Sequence, residues 1–115
     1  MTIDHVAIQT TDIPASIDFY TQRFDAKVLY QDDTWAFLKF GNCKLALVTP
    51  SQHPPHVALS VTEEQLNAHA DEHDKRIDQH RDGTKGIYID DPSGNAVELI
   101  CYPKGETVYA EGVKD

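Results

Sequence analysis

The amino-acid sequence predicts an α+β fold built from two βαβββ modules, and an internal repeat carries most of that prediction. The segment DHVAIQTTDI, which begins at Asp4, resembles PHVALSVTEE, which begins at Pro55. Likewise GNCKLALVTP, from Gly41, resembles GNAVELICYP, from Gly94. The two matches are offset by 51 and 53 residues, so each copy spans about fifty residues.

The repeat also sets the domain organisation. We predict a single domain over residues 1–103, in which module one covers about 2–50 and module two covers about 55–103. Between the modules, the sequence SQHPP has the composition of a linker, because adjacent prolines exclude both a helix and a central strand. The C-terminal tail, residues 104–115, shows no periodicity and is predicted to be peripheral.

Module one has the pattern of a strand, a helix and three further strands. Residues 3–9 alternate and are rich in branched side chains, which is typical of a strand. Asp12 and Pro14 then supply the start of a helix. The strands KVLYQ, TWAFLKF and CKLALVT follow, and Gly41-Asn42 predicts a tight hairpin between the last two. The apolar stripe of the helix recurs at helical spacing and consists of Ile13, Ile17, Tyr20 and Phe24.

Module two repeats this order. HVALSV predicts a strand, and Thr62 with Gln65 forms a possible capping box for the next helix. A short strand over 77–80 and the strands GIYID and NAVELICY complete the module. The sequence DPSG from Asp91 fits a type I turn between the last two strands, with proline second and glycine fourth. The predicted apolar stripe of the helix consists of Leu66, Ala70, His73 and Ile77.

Composition narrows the classes of partner. The chain has 115 residues with 10 basic and 19 acidic side chains, a net charge of −9, which argues against nucleic acid and anionic membranes as partners. No apolar run approaches the ~20 residues of a membrane span, and the N-terminal residues do not resemble a secretory signal. Cys43 and Cys101 lie in apolar strands and are interpreted as reduced thiols. We therefore expect a soluble cytoplasmic domain.

Three side chains of the metal-ligand type occupy related strand positions. In the first strand, His5 shares a face with small and polar residues, and the branched residues take the face expected under the helix. His56 occupies the same position in the repeat, and Glu98 lies in the last strand. A buried, unpaired carboxylate is costly, so Glu98 requires a metal ion, an arginine partner or exposure to solvent.

A pseudo-twofold packing of the modules would bring these three side chains together. His5 and His56 would then lie on adjacent inner strands near Glu98, and the repeat alignment makes Leu45 the counterpart of Glu98. Two histidines and one carboxylate leave positions open for water or substrate, as in non-haem Fe(II) centres, and Mn, Zn, Ni and Co accept the same set. A single histidine on a strand is usually a core or surface residue, so the prediction of one divalent metal ion depends on the coincidence of all three.

The ends of the modules are similar to those of a known family. IDHVAIQTTDIPASIDFY and IYIDDPSGNAVELICYP resemble the module ends of the vicinal oxygen chelate superfamily, which includes glyoxalase I, bleomycin-resistance proteins, extradiol dioxygenases and fosfomycin-resistance transferases. The resemblance covers about residues 2–103. It implies paired βαβββ modules with mixed sheets that form a cup around a divalent metal held by His5, His56 and Glu98. It also implies a homodimer.

The resemblance implies a small metal-dependent enzyme whose metal chelates neighbouring oxygens of a small-molecule substrate, as a lyase or isomerase, a dioxygenase or a transferase. Leu45 counts against glyoxalase-like isomerases, which usually fill the fourth ligand position. Arg81, Lys85 and Tyr88 are possible phosphonate contacts for a transferase, whereas Ala7 replaces the threonine that those enzymes tend to carry. The alternative is a non-catalytic binder of the antibiotic-resistance type, which generally lacks the metal ligands.

Several further side chains are candidates for the cup. Core packing is the alternative for each aromatic residue among them. His53 and His80 have no strand context that assigns them a role, and His69 and His73, four apart on a helix, are interpreted as surface residues. The candidate substrate contacts are Gln9, Trp35, Ser60, Tyr88 and Tyr102, and Phe37 is a further candidate for lining the cup.

Overall fold

The computed structural model describes residues 1–80 and 83–103, and within them the predicted βαβββ order occurs twice. The predicted C-terminal tail lies outside the described residues. The elements of module one are β1 (Thr2–Gln9), α1 (Ile13–Arg23), β2 (Lys27–Gln31), β3 (Trp35–Phe40) and β4 (Cys43–Val48). Those of module two are β5 (His56–Ser60), α2 (Glu63–Glu72), β6 (Asp78–Gln79), β7 (Lys85–Asp90) and β8 (Ala96–Cys101).

The strands form one mixed, eight-stranded sheet in the order β2-β3-β4-β1-β5-β8-β7-β6. Each module pairs its first and last strands in parallel, and the modules meet where β1 and β5 run antiparallel. In that central pair Val6 lies opposite Val57, His5 opposite Ala58, and Ala7 opposite His56. This reciprocal register is the signature of the predicted pseudo-twofold, and it places the two histidines on neighbouring strands of one chain.

The predicted start and turn signals act as expected. The Asp12 side chain accepts a hydrogen bond from the Ala15 amide at 3.0 Å at the start of α1. Thr62 and Gln65 form the capping box of α2. Gly41 adopts a φ of +48° in the hairpin between β3 and β4, a conformation that favours glycine. The DPSG turn is closed by a 3.0 Å hydrogen bond from the Gly94 amide to the Asp91 carbonyl.

The second helix is shorter than its apolar stripe predicted. It ends at Glu72, and His73 is its C-terminal cap. The Lys75 amide then donates to the Ala70 carbonyl at 2.8 Å, and Asp74 has a φ of +52°, so the chain turns away before Ile77. Consequently β6 consists of Asp78–Gln79 alone, not of residues 77–80.

The helices cover one face of the sheet. Under α1, Ile13 and Ile17 pack with Leu38 and Leu47, and removal of these side chains from water stabilises module one. Under α2, a second cluster consists of Val61, Leu66, Ala70, Ile87 and Leu99. The opposite face carries His5, His56 and Glu98 and bounds a cavity. Neither helix is long and apolar enough to cross a membrane within the described part of the chain.

Candidate metal centre

The three predicted ligands converge on the helix-free face of the sheet. The Nε2 atoms of His5 and His56 lie 3.4 and 3.2 Å from Oε1 of Glu98. One ligand atom from each residue lies within 4.8 Å of the other two, and all three residues are buried. The ligands come from one chain, because β1 and β5 are neighbours and β8 pairs with β5.

Each imidazole is oriented by a hydrogen bond on its far side. Nδ1 of His5 donates to Oδ2 of Asp4 at 2.7 Å, and Nδ1 of His56 donates to the carbonyl oxygen of Pro54 at 2.8 Å. A carboxylate and a carbonyl only accept hydrogen bonds, so each Nδ1 carries a proton, and each Nε2 faces the shared space, where loss of its own proton frees a lone pair for a metal ion. Metal-binding histidines are oriented in this way. The donor set and its orientation therefore fit a divalent ion.

The charges of Glu98 and His5 stabilise each other. Burial by itself would raise the pKa of Glu98, but hydrogen bonds from His5 and His56 outweigh it and lower that pKa to about 2. Burial would lower the pKa of His5, whereas its contacts with Asp4 and Glu98 raise it. Glu98 is thus an ionised carboxylate at neutral pH, available to a cation.

A glycine makes room for the Glu98 carboxylate. Gly86 of β7 lies beside β8, and a Cβ built on Gly86 would stand 2.9 Å from the Leu99 carbonyl oxygen and 3.4 Å from Oε2 of Glu98. The first distance is shorter than real Cβ contacts. Any side chain at Gly86 would therefore displace β8 or the carboxylate.

The ligands lie at the wall of a cavity of about 320 Å³. Trp35, Phe37, Tyr88 and Tyr102 line it, as the sequence predicted for the cup. The remaining wall combines polar and apolar side chains, so the cavity presents hydrogen-bonding groups within an aromatic frame. Its other lining residues, beyond the three ligands, are Asp32, Thr34, Ala46, Val48, Gln52, His53, His80, Thr84 and Ile100.

Two of the predicted substrate contacts do not line this cavity. Ser60 shares the face of His56 but stands four residues further along β5, about 13 Å away at the rise of a strand, where it pairs with Thr2. Gln9 is exposed at the other end of β1, and its Nε2 donates to the carbonyl oxygen of His53 at 3.0 Å. Alternation predicted the face correctly but not the position along the strand.

His53 and His80 line the cavity although the sequence pattern assigned them no role. Nδ1 of His53 lies 3.3 Å from the Tyr88 hydroxyl, and the two rings are stacked with centroids 6.0 Å apart. Nδ1 of His80 lies 2.8 Å from Oγ1 of Thr84. His53 belongs to the linker, so strand periodicity cannot detect it; its signal is its position three residues before the predicted ligand His56.

The prediction that Leu45 is the counterpart of Glu98 is wrong. Along β1, His5 pairs with Lys44, whereas along β5, His56 pairs with Ala96. Two residues further along each partner strand are Ala46 and Glu98, so Ala46 is the counterpart by register. Ala46 lines the cavity, whereas Leu45 packs against the core under α1. The sequence alignment matched Gly41-Asn42 with Gly94-Asn95, but the register of the strands that follow differs by one residue between the modules.

Lys85, His69 and His73, which the sequence singled out as charged or ligand-type residues, lie away from the centre. Nζ of Lys85 is 2.9 Å from a carboxylate oxygen of Glu63, so it is paired at the surface instead of lining the cavity. Arg81 lies outside the described residues. His69 and His73 are near Glu72 on the surface of α2, as expected from their spacing.

Comparison with known proteins identifies the family. A sequence model of the Glyoxalase/Bleomycin resistance protein/Dioxygenase superfamily matches residues 2–99. The chain belongs to this superfamily. Its family and its paired modules are those that the resemblance of the module ends implied.

Individual proteins of known sequence or structure share less than 30% identity with the chain in the comparisons that follow. The chain is 27% identical to a metallothiol transferase FosB of Lysinibacillus sphaericus, over 95% of this chain and 94% of that protein. It is 29% identical to the metallothiol transferase FosB of Staphylococcus saprophyticus, over 84% and 74%. Among solved structures, a Streptomyces coelicolor methylmalonyl-CoA epimerase variant superposes with a TM-score of 0.69 at 21% identity, over 93% of this chain and 98% of that one. This last similarity concerns the fold alone.

Proposed function

We propose that this protein is a metal-dependent enzyme that binds two neighbouring oxygens of a small-molecule substrate at one divalent ion. His5, His56 and Glu98 hold the ion. The observation that carries the proposal is the orientation of both imidazoles, whose Nδ1 protons are engaged by Asp4 and by the Pro54 carbonyl while both Nε2 atoms face Glu98. Fe, Mn, Zn, Ni and Co are the candidate ions.

The ion supplies Lewis-acid chemistry, and the surrounding side chains bind and orient the substrate. Burial raises the pKa of Tyr88, and the charge of Glu98 raises it further, so its hydroxyl stays protonated and serves as a hydrogen-bond donor. His53, stacked on Tyr88, presents a second polar group to the cavity. Trp35 and Tyr102 enclose the substrate from other sides.

Ala46 favours chemistry that needs three protein ligands. The register counterpart of Glu98 is a methyl group, so among the described residues this position offers the metal no fourth ligand. Open coordination positions accept a substrate with two oxygens. This disfavours glyoxalase-like isomerisation, in which the fourth position carries a carboxylate.

Thiol transfer is the second, more specific candidate. Two metallothiol transferases align with most of this chain. The set of two histidines and one glutamate also resembles the metal ligands of the fosfomycin-resistance transferases. In such a reaction the thiol sulfur forms a bond to an epoxide carbon, the carbon–oxygen bond breaks, and the oxygen takes up the thiol proton. The test is formation of the adduct from fosfomycin and a low-molecular-weight thiol in the presence of Mn²⁺.

The primary test is the metal content of the purified protein before and after reconstitution. We expect about one divalent ion per chain for the wild type, and loss of the ion in His56→Ala and in Glu98→Ala, because each removes one of three ligands. His69→Ala/His73→Ala is the matched control, since it removes two surface histidines and leaves the centre intact. Iron or manganese favours oxygenation or transfer, and nickel or zinc favours isomerisation.

A wild type that stays metal-free at saturating ion concentration contradicts the proposal. Glu98 and the two histidines would then be a buried hydrogen-bonded cluster. The cup would be a non-catalytic small-molecule binder of the antibiotic-resistance type.

A further inference from the structure

A buried charged network lies directly behind His5. Asp4 uses both carboxylate oxygens: Oδ1 lies 3.0 Å from Nζ of Lys44, and Oδ2 accepts hydrogen bonds from Nδ1 of His5 at 2.7 Å and from the Tyr102 hydroxyl at 2.9 Å. Nζ of Lys44 also donates to the Tyr102 hydroxyl at 3.2 Å. Lys44 is only 4% exposed. Three polar side chains, Asp4, Lys44 and Tyr102, therefore form one connected set behind the predicted ligand His5.

Stability alone does not account for this network. A buried ion pair loses the hydration of both charges, and apolar side chains of similar size often stabilise a fold equally well or better. What the network does provide is a fixed orientation, because three donors from three different parts of the chain hold one carboxylate. His5 and Asp4 lie on β1, Lys44 lies on β4, and Tyr102 follows β8.

The three donors leave the Asp4 carboxylate one orientation. Rotation of the carboxylate would break at least one contact with a charged or hydroxyl donor, and each such contact is stronger than a hydrogen bond between neutral groups. Lys44 lies over the rings of Phe37 and Tyr102, with Nζ 5.5 and 5.0 Å from the ring centroids, which confines the ammonium group as well. The hydrogen bond to His5 is thus set by the surroundings of Asp4.

We infer that Asp4, held by Lys44 and Tyr102, is a positioning residue that orients the metal ligand His5. Tyr102 belongs to module two and His5 belongs to module one, so a side chain of one module supports a ligand of the other. This inference rests on the proposed metal-binding function. It distinguishes His5 from His56, whose Nδ1 proton is held by a neutral backbone carbonyl.

The first experiment observes the hydrogen bond itself. In ¹H–¹⁵N spectra of the Zn²⁺-loaded protein, the Nδ1 protons of His5 and His56 give separate signals. Asp4→Asn keeps an acceptor of the same shape but removes the charge, so we expect the His5 signal to shift and to exchange faster with water. The His56 signal serves as the control within the same molecule and is expected to remain in place.

The second experiment measures Co²⁺ affinity by visible spectroscopy. We expect Asp4→Asn to weaken binding about 10- to 100-fold, the usual effect of removing the partner of a metal-bound histidine. Tyr102→Phe is expected to weaken it less, since Lys44 still holds Asp4, and this variant keeps the test open if Asp4→Asn does not fold. Asp32→Asn is the matched control: this aspartate lines the same cavity and accepts a hydrogen bond from Tyr30 at 2.6 Å.

The outcomes separate the inference from the function on which it rests. If the wild type binds Co²⁺ while Asp4→Asn and Tyr102→Phe bind it equally tightly with an unshifted His5 signal, the positioning role is wrong and the metal site stands. Equal losses in Asp4→Asn and Asp32→Asn would also overturn the inference, because the effect would then be general to the cavity. A wild type that binds neither Co²⁺ nor Zn²⁺ overturns both.

Discussion

The two modules share a backbone plan but give the site different chemistry. In module two, β8 supplies Glu98, and its antiparallel neighbour β7 places Tyr88 opposite that residue. In module one, the same register positions hold Ala46 on β4 and Phe37 on β3. The carboxylate of Glu98 in module two thus corresponds to the methyl group of Ala46 in module one, and Tyr88 corresponds to Phe37, which has no hydroxyl group.

The histidines differ in the same sense. His56 is backed by a carbonyl oxygen, and His5 is backed by the carboxylate of Asp4 with Lys44 behind it. Lys44 itself corresponds by register to Ala96 in module two. In the proposed site, negative charge would therefore meet the metal directly in module two and through a histidine in module one. The pseudo-twofold therefore brings the two imidazoles together. The positions that differ between the modules place the carboxylate of Glu98 on one side of the centre and the methyl group of Ala46 on the other.

Lys44→Met should have the largest effect, because it breaks the network of module one at its cation. The Asp4 carboxylate would stay buried without that partner, which costs about 3–5 kcal/mol in the free energy of unfolding. Urea unfolding followed by circular dichroism measures this loss. The double variant Asp4→Asn/Lys44→Met leaves no unpaired charge and is expected to recover most of the stability.

Lys85→Met is the matched control for this prediction. Its ion pair with Glu63 has a similar length, 2.9 Å, but is exposed to solvent. Exposed pairs contribute little to stability, so the unfolding midpoint should stay close to that of the wild type. If Lys44→Met behaved like Lys85→Met, the buried network would not differ energetically from a surface contact.

Gly86→Ala tests the other half of the comparison, the space reserved for Glu98. The added Cβ would meet the Leu99 carbonyl oxygen at 2.9 Å, so β7 and β8 must separate. We expect a loss of about 1–3 kcal/mol in stability, the usual cost of overpacking, together with weaker metal binding because Glu98 moves. Calorimetry and a Co²⁺ titration measure the two effects.

Gly41→Ala is the control for the effect of Gly86→Ala on metal binding. Gly41 also prefers to remain glycine, because its φ is +48°, but nothing lies within 4 Å of the position of its Cβ. It should lower stability through backbone strain and leave Co²⁺ affinity unchanged. Unaltered metal affinity in Gly86→Ala would show that the carboxylate does not depend on this space.

The sequence predicted the fold and the convergence of His5, His56 and Glu98 because both depend on local pattern. Alternation in residues 3–9 and the capping signals at Asp12 and Thr62 act over a few residues, and the structure follows them. The repeat then extended local pattern to a pairing of modules. His5, His56 and Glu98 could be predicted because their faces follow from period two, and adjacency of β1 and β5 follows from the pseudo-twofold.

The features of the site that the sequence did not predict depend on the pairing of distant strands and on segments without regular structure. The Ala46 assignment required the parallel pairing of β1 with β4, and nothing in the sequence of β4 contains that one-residue shift. His53 lies in a linker, where neither period applies. The sequence does not indicate that Lys44 is buried, because its partners Asp4 and Tyr102 are both far from it along the chain.

The last and smallest prediction compares turn aspartates of the two modules. Asp32 accepts hydrogen bonds from the Thr34 and Trp35 amides and from the Tyr30 hydroxyl, and Asp91 accepts them from the Ser93 and Asn95 amides. Burial slightly opposes ionisation of Asp32, but these hydrogen bonds lower its pKa from 3.8 to about 2. Its contribution to stability is therefore complete above about pH 4 and is lost as the pH falls toward 2.

Asp32→Asn should consequently be less stable than the wild type at pH 6, and the difference should narrow as the pH is lowered from 4 toward 2. Hydrogen bonds from the side chain and amide of Asn95 lower the pKa of Asp91 too, so Asp91→Asn should show a narrowing of the same sign. Urea midpoints of the three proteins at pH 6 and pH 3 measure both differences. A difference between Asp32→Asn and the wild type that stays constant over this range would mean that the hydrogen bonds stabilise the turn equally well with a protonated carboxyl, and that charge is not what holds this loop of module one.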